Sequence, residues 1–324
     1  MWSMFEDRIK ARLRNDPAIR AKVKATEAAV SEGRVAPALG AAAVFGVMQA
    51  GSLAEAQRQR QQLREQAARM AGELDAAKRI QMGLLPDPAE VLADERRVDV
   101  AALLEPARTV GGDFYDCFML DDRRLFIVVA DVSGKGLPAS LFMASVKSII
   151  KSAALTAEGS VGGVLARAQD EIHRENPESL FVTALAAVLD LESGGIEYAN
   201  AGHEPAWSHQ PRGQPERLDA SGGPPLCVLD TYAYPTTSRT LVRGEWLLAL
   251  SDGATEAMNA GKEFFGAERL RTSLAWLGDE PEARTIVERV RDDVRRFSGD
   301  AEPADDLTLL AIRWNGPQAA VSAR

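Results

Sequence analysis

The sequence predicts an α+β fold preceded by an all-helical N-terminal part. Between residues 53 and 84, apolar positions recur alternately every three and four residues, the mark of one helix carrying an unpartnered stripe. From residue 98 onward the texture changes to short apolar runs of strand length, two of them flanking the turn signal Glu192-Ser193-Gly194-Gly195. Helical spacings in this half fall in separate runs rather than alternating with strands, which argues against a regular βαβ repeat.

Residues 1–34 read as helical and are charged throughout, with Gly33 as a C-terminal stop. Charge so early (Glu6, Asp7, Arg8, Lys10) is unlike a secretory leader. Pro37 fits the first turn of a second helix, so residues 1–52 are expected to form a helical hairpin with a dimerising or regulatory role. Residues 35–54 contain no charge, and a membrane span needs about 20 apolar residues. Pro37, Gly40, Gly46, Gln49, Gly51 and Ser52 interrupt the run, so a packed helix is expected here rather than a membrane span.

Leu53, Ala56, Arg60, Leu63, Ala67, Met70, Leu74, Ala77, Gln81 and Leu84 form a heptad seam broken at Arg60 and Gln81. Residues 53–85 are therefore expected to be a coiled-coil linker, its stripe covered by a second copy in a homodimer or by docking on the next domain. Pro86 and Pro88 end it.

Residues 86–316 form the globular domain in this reading, followed by a tail at 317–324. Strands are expected at 98–104, 125–130, 181–191, 196–199, 246–250 and 307–314. Helices are expected at 138–154, 161–175, 266–276 and 282–297. The proline- and glycine-rich stretch 204–224 reads as loop and turn.

At 324 residues with a net charge of −9, the chain has room for about two domains and lacks the basic balance of a nucleic-acid-binding surface. Cys117 and Cys227 match no metal or redox spacing, and a reducing, cytoplasmic compartment is the simplest expectation. With three histidines, His173, His203 and His209, a histidine-rich zinc site is not expected.

The chemistry is concentrated in acidic turns: Gly111-Gly112-Asp113-Phe114-Tyr115-Asp116, Ala130-Asp131-Val132-Ser133-Gly134-Lys135-Gly136, Ser251-Asp252-Gly253 and Ala304-Asp305-Asp306-Leu307-Thr308. Each alone is an ordinary turn, because Asp bonds nearby backbone and Gly tolerates positive φ. Together they differ: Asp131 and Asp252 follow apolar runs and Asp305 precedes one, which sets carboxylates at strand ends. Carboxylates gathered in one cleft repel unless a cation neutralises them, and all-oxygen ligation favours Mg²⁺, Mn²⁺ or Ca²⁺.

The strings GGDFYD, ADVSGKGLPASLFMA, FVTALAAVLD, YANAGHEP, LALSDGATEAMN and ADDLTLLAIR, in this order, closely resemble the bacterial metal-dependent serine/threonine phosphatases of the type 2C (PPM) superfamily, in the group represented by SpoIIE and RsbU. The resemblance covers residues 78–314. It implies an αββα sandwich of two antiparallel sheets around two Mn²⁺ or Mg²⁺ ions. Carried over by motif, Asp131 would bridge both ions and the Val132 carbonyl would complete the first site. Asp252 and Asp305 would hold the second, and Asp113 would support the centre; Asp116 and Asp306 stand as neighbours. Asp131 and Asp113 are the expected catalytic residues. The implied substrate is a phosphorylated STAS-type anti-sigma-factor antagonist, and residues 136–154 are the expected switch. Eukaryotic members carry a His soon after the bridging Asp where this chain has Val132-Ser133-Gly134, so the resemblance assigns no general acid. His203 is read as structural and Arg108 as a solvated loop residue. Gly-Gly-Asp also opens a diguanylate cyclase signature, but that continues Glu-Phe, not Phe-Tyr-Asp. A catalytically silent interaction module is the alternative.

Overall fold

The computed structural model describes residues 15–156, 159–174, 176–218 and 222–317. The chain divides into two compact units, residues 1–73 and 74–324. In the first, α1 (Pro17–Ser31) starts at Asp16, whose carboxylate accepts from the Ala18 and Ile19 N–H groups. Helix α2 (Pro37–Leu84) begins beside it: a Cβ on Gly40 would stand 2.7 Å from Thr26 Cγ2, so glycine permits this close helix approach. Residues 1–14, read as helical from sequence, lie outside the described residues. No described helix is long and apolar enough to cross a membrane.

The second unit starts in the last turns of α2. Asp87 caps the short α3 (Pro88–Val91), with proline at the first helical position. Ten strands then build two sheets. One has the order β1 (Val98–Glu105), β10 (Leu307–Trp314), β9 (Trp246–Leu250), β6 (Trp207–His209), β7 (Glu216–Arg217). The other has the order β2 (Phe114–Met119), β3 (Arg124–Val132), β4 (Val182–Asp190), β5 (Gly195–Ala201), β8 (Thr237–Thr240). Among the described residues, every pairing between these strands is antiparallel.

The strand period of two makes the layers. On β3, Leu125, Ile127 and Val129 face the other sheet, where they meet Leu247, Ala249, Leu310 and Ile312. Phe126, Val128 and Ala130 face outward onto α4 (Leu137–Thr156) and α5 (Val161–Arg174). On the far side, Leu248, Leu250 and Leu309 pack under α7 (Gly266–Ala275) and α8 (Ala283–Ser298), the latter burying Ile286, Val287, Val290 and Val294 at helical spacing. A four-residue helix, α6 (Asp252–Thr255), follows β9 directly. The result is helix, sheet, sheet, helix, the αββα sandwich expected.

Three local differences stand out. Residues 114–116, read as part of an acidic turn, instead open strand β2, whose side chains find buried faces on both sides. The stretch 204–224 is not all loop: β6 and β7 lie within it and extend the first sheet. Strand β8 was also not anticipated, since its burial is intermittent and leaves no apolar run to read.

Candidate metal centre

Both sheets deliver carboxylates to the same end of the sandwich. Asp131 is the last residue but one of β3, and Asp113 stands just before β2, whose Phe114 pairs with Ala130. From the other sheet, Asp252 opens α6 at the end of β9, and Asp305 precedes β10.

Glycines let the backbone close in here. A Cβ on Gly112 would lie 2.5 Å from the Val132 carbonyl oxygen and 3.3 Å from Asp131 Oδ1. One on Gly111 would lie 1.7 Å from Asp306 Oδ2, and one on Gly253 would lie 1.9 Å from the Asp306 carbonyl oxygen. Each of these three positions has room only for hydrogen.

Asp113 is 2% exposed, and its Oδ2 accepts a 2.6 Å hydrogen bond from Thr308 Oγ1. Burial first, and then the charge of Asp131, hold its pKa well above the carboxylate range. Burial likewise pushes Asp131 up to about 7; the charges of Asp252, Asp305 and Asp306 add to this, and a hydrogen bond with Asp113 partly offsets it. Asp252 is raised by burial and then by Asp305. These groups therefore suffer both desolvation and mutual repulsion, which a divalent cation among them would relieve.

Asp306 is committed elsewhere. Its Oδ1 accepts from Ala107 N at 2.8 Å and its Oδ2 from Gly112 N at 3.0 Å, so it pins the glycine loop to the start of β10. Asp116 faces the opposite side of β2. It is 1% exposed, bonds Lys147 Nζ of α4 at 2.7 Å, and lies away from the acidic end. Asp306 thus spends both oxygens on backbone N–H groups, and Asp116 is held by Lys147.

Two residues without an assigned role in the sequence reading meet this loop. Lys135 Nζ donates to Asp305 Oδ2 and to the Ala304 carbonyl, both at 2.8 Å. With Arg108 it lines a cleft of about 430 Å³ whose wall includes Gly111, Gly112, Asp305 and Asp306. Gln81, the polar break in the apolar seam, is 4% exposed and bonds Gly111. A glutamine on an otherwise apolar stripe was the available signal for it. Among the described residues, no group of three His, Cys, Asp or Glu side chains is gathered closely enough to hold a metal as it stands. The donor chemistry and the glycine niche nonetheless suit a hard cation, with the Lys135 ammonium lying on one of the candidate ligands.

The sequence profile described as Stage II sporulation protein E (SpoIIE) matches residues 121–315. The chain belongs to the SpoIIE family. Among curated relatives it is similar to protein IcfG of Synechocystis, 29% identical over 271 residues, covering 75% of this chain and 42% of that protein. It is also similar to phosphoserine phosphatase RsbU of Bacillus subtilis, 27% identical over 262 residues, covering 80% of this chain and 75% of RsbU. The chain thus spans less than half of IcfG and three quarters of RsbU. Among solved structures, the PP2C domain of SiaA from Pseudomonas aeruginosa superposes with a TM-score of 0.67 at 21% identity, covering 76% of this chain and 98% of that one. The globular unit of this SpoIIE-family chain accordingly has the PP2C-type phosphatase fold.

Proposed function

We propose that this protein is a Mn²⁺- or Mg²⁺-dependent phosphoserine/phosphothreonine phosphatase acting on a phosphoprotein in bacterial signalling. The observation that carries the reading is the buried, mutually repelling set Asp113, Asp131 and Asp252, delivered from both sheets to one end. Asp131 and the Val132 carbonyl would hold one ion, with Asp131 shared to a second ion at Asp252 and Asp305. Bound there, two divalent cations would supply Lewis-acid activation of water and neutralise charge on the phosphoryl group. Thr308 fixes the Asp113 carboxyl, and Asp306 fixes the Gly111–Gly112 backbone beside it. Arg108 and Lys135 line the adjoining cleft, where their charges favour a phosphoryl dianion. Neither cysteine serves as a nucleophile here: burial pushes the Cys117 thiol up to about 12 and Cys227 up to about 11.

The likeness to RsbU supports a STAS-type anti-sigma-factor antagonist as the substrate class. Leu53, Leu63 and Met70 of the heptad seam are more than 60% exposed, which supports pairing with a second copy of the chain. Residues 136–154, which follow the Asp131 turn, would be the element through which the N-terminal part biases the centre. A cytoplasmic location fits these partners.

The deciding measurement is hydrolysis of p-nitrophenyl phosphate and of a phosphorylated STAS protein, with and without Mn²⁺. Turnover is expected only with metal and is expected to vanish in Asp131→Ala and Asp252→Ala. Metal-independent turnover in the wild type would overturn the metal-dependent mechanism, and absent turnover would leave the silent interaction module as the reading. That alternative draws on the Lys135 contact with Asp305.

A further inference from the structure

The chain crosses from one sheet to the other between Ala201, the end of β5, and Trp207, the start of β6. His203 sits on that crossing and is 6% exposed. Local structure throws it inward. Gly202 has φ +69°, and a Cβ there would lie 2.7 Å from the Pro225 ring. Asn200 clamps the histidine backbone from both sides, its Nδ2 donating to the His203 carbonyl at 2.9 Å and its Oδ1 accepting from the His203 N–H at 2.7 Å.

The ring then reaches β4. Nδ1 lies 2.8 Å from Thr183 Oγ1 on β4. Thr183 stands directly opposite Asp131 in the β3–β4 ladder, so the two side chains are neighbours on one face. Nε2 is fully buried and has no hydrogen-bond partner. Burial holds the imidazole neutral, with its pKa lowered to about 4. A neutral ring has one donor and one acceptor nitrogen, so Nδ1 can either accept from the Thr183 hydroxyl or donate to it.

We propose that His203 is a positioning residue, a strut anchored by Asn200 that holds Thr183 against Asp131 and so sets where that carboxylate sits. The inference rests on the metal-centre reading above. A histidine serving only as core filling would be replaceable without effect on metal affinity. A strut behind ligands is not: loss of such outer partners typically weakens metal binding by about 10- to 100-fold.

The test is calorimetric titration of the full chain with Mn²⁺ alone, with thermal unfolding in parallel. His203→Ala and Thr183→Val are expected to weaken Mn²⁺ binding by about tenfold or more. His203→Gln, whose amide can bond the Thr183 hydroxyl, and Thr183→Ser, which keeps the hydroxyl, are expected to stay within a few-fold of wild type. Should His203→Ala not fold, Thr183→Val against Thr183→Ser decides. Wild-type affinity in both His203→Ala and Thr183→Val overturns the inference while leaving the metal centre intact. A wild-type chain that binds no Mn²⁺ removes the centre and the strut together.

Discussion

The side-chain amide of Gln81 holds both polar atoms of the Gly111 backbone: Nε2 donates to the carbonyl oxygen at 2.8 Å, and Oε1 accepts from the N–H at 3.2 Å. Gly111 has no side chain because Asp306 fills that space, so the loop preceding Asp113 is gripped from two directions. The last turns of α2 therefore reach the candidate centre through one residue.

Replacing Gln81 with Ala removes both bonds and leaves a buried N–H and C=O unpaired, at a cost of about 1–3 kcal/mol for each group left unsatisfied. Because the strain falls on the glycine loop, the expected outcome is a higher Mn²⁺ requirement for p-nitrophenyl phosphate hydrolysis together with a modest loss of stability. A Mn²⁺ titration of rate in the variant checks this. An unchanged metal requirement alongside a lowered melting temperature would reduce the contact to simple packing.

Adjacent aspartates are expected to fail in different ways. Asp305→Asn should weaken Mn²⁺ binding while leaving the metal-free protein close to wild-type stability, since its ion pair with Lys135 is largely exposed and such pairs contribute about 0–1 kcal/mol. Asp306→Ala should instead destabilise the protein without metal, because Ala107 N and Gly112 N lose their acceptor. Thermal unfolding of both variants, with and without Mn²⁺, separates the two effects. Equal behaviour would contradict the division of roles.

Much of this was legible in the sequence, and the gaps have physical causes. Continuous apolar runs on β3, β4, β9 and β10 show directly because both faces of these strands are buried. Strands β6 to β8 are two to four residues long and sit at or next to sheet edges among prolines, where pairing leaves no periodic trace. In the acidic motifs, sequence could mark carboxylates but not their facing. Asp113 and Asp116 are three apart, which on a strand places them on opposite faces, and only the start of β2 decides which looks toward the centre. Gln81 appeared as a flaw in a heptad, since periodicity reports where apolar residues go and says nothing of a polar residue buried against backbone.

Asp116 and Lys147 form a buried ion pair between β2 and α4, with side chains 2% and 10% exposed. Lys151 lies 3.7 Å from the same carboxylate and 4.4 Å above the Phe118 ring. Removing one partner of a buried pair strands the other charge, at about 3–5 kcal/mol. Asp116→Ala is expected to lower stability by that order, and the paired change Asp116→Leu with Lys147→Met to recover much of it. Denaturant unfolding of the single and double variants measures the coupling. If α4 also biases the centre, the single variant should shift the Mn²⁺ requirement more than its global stability loss explains.

The raised carboxylates make metal binding and pH inseparable. Asp131 has a folded pKa of about 7 against an ordinary value near 3.8, and Asp113 and Asp252 are raised as well. Between those pH values the folded state binds more protons than the unfolded chain. Stability of the metal-free protein should therefore be fullest at the acid end of this window and fall as pH rises from about 4 to 7. A divalent cation takes the place of those protons, so its binding should release protons and tighten as pH increases. The expected result is a small rise in melting temperature on adding Mn²⁺ at pH 5.5 and a larger one at pH 8. Proton release should appear as a calorimetric heat that varies with the buffer's ionisation enthalpy. A Mn²⁺ stabilisation independent of pH across this range would show that the ion binds away from Asp113, Asp131 and Asp252, and the carboxylates at the end of the sandwich would then need another explanation for their burial.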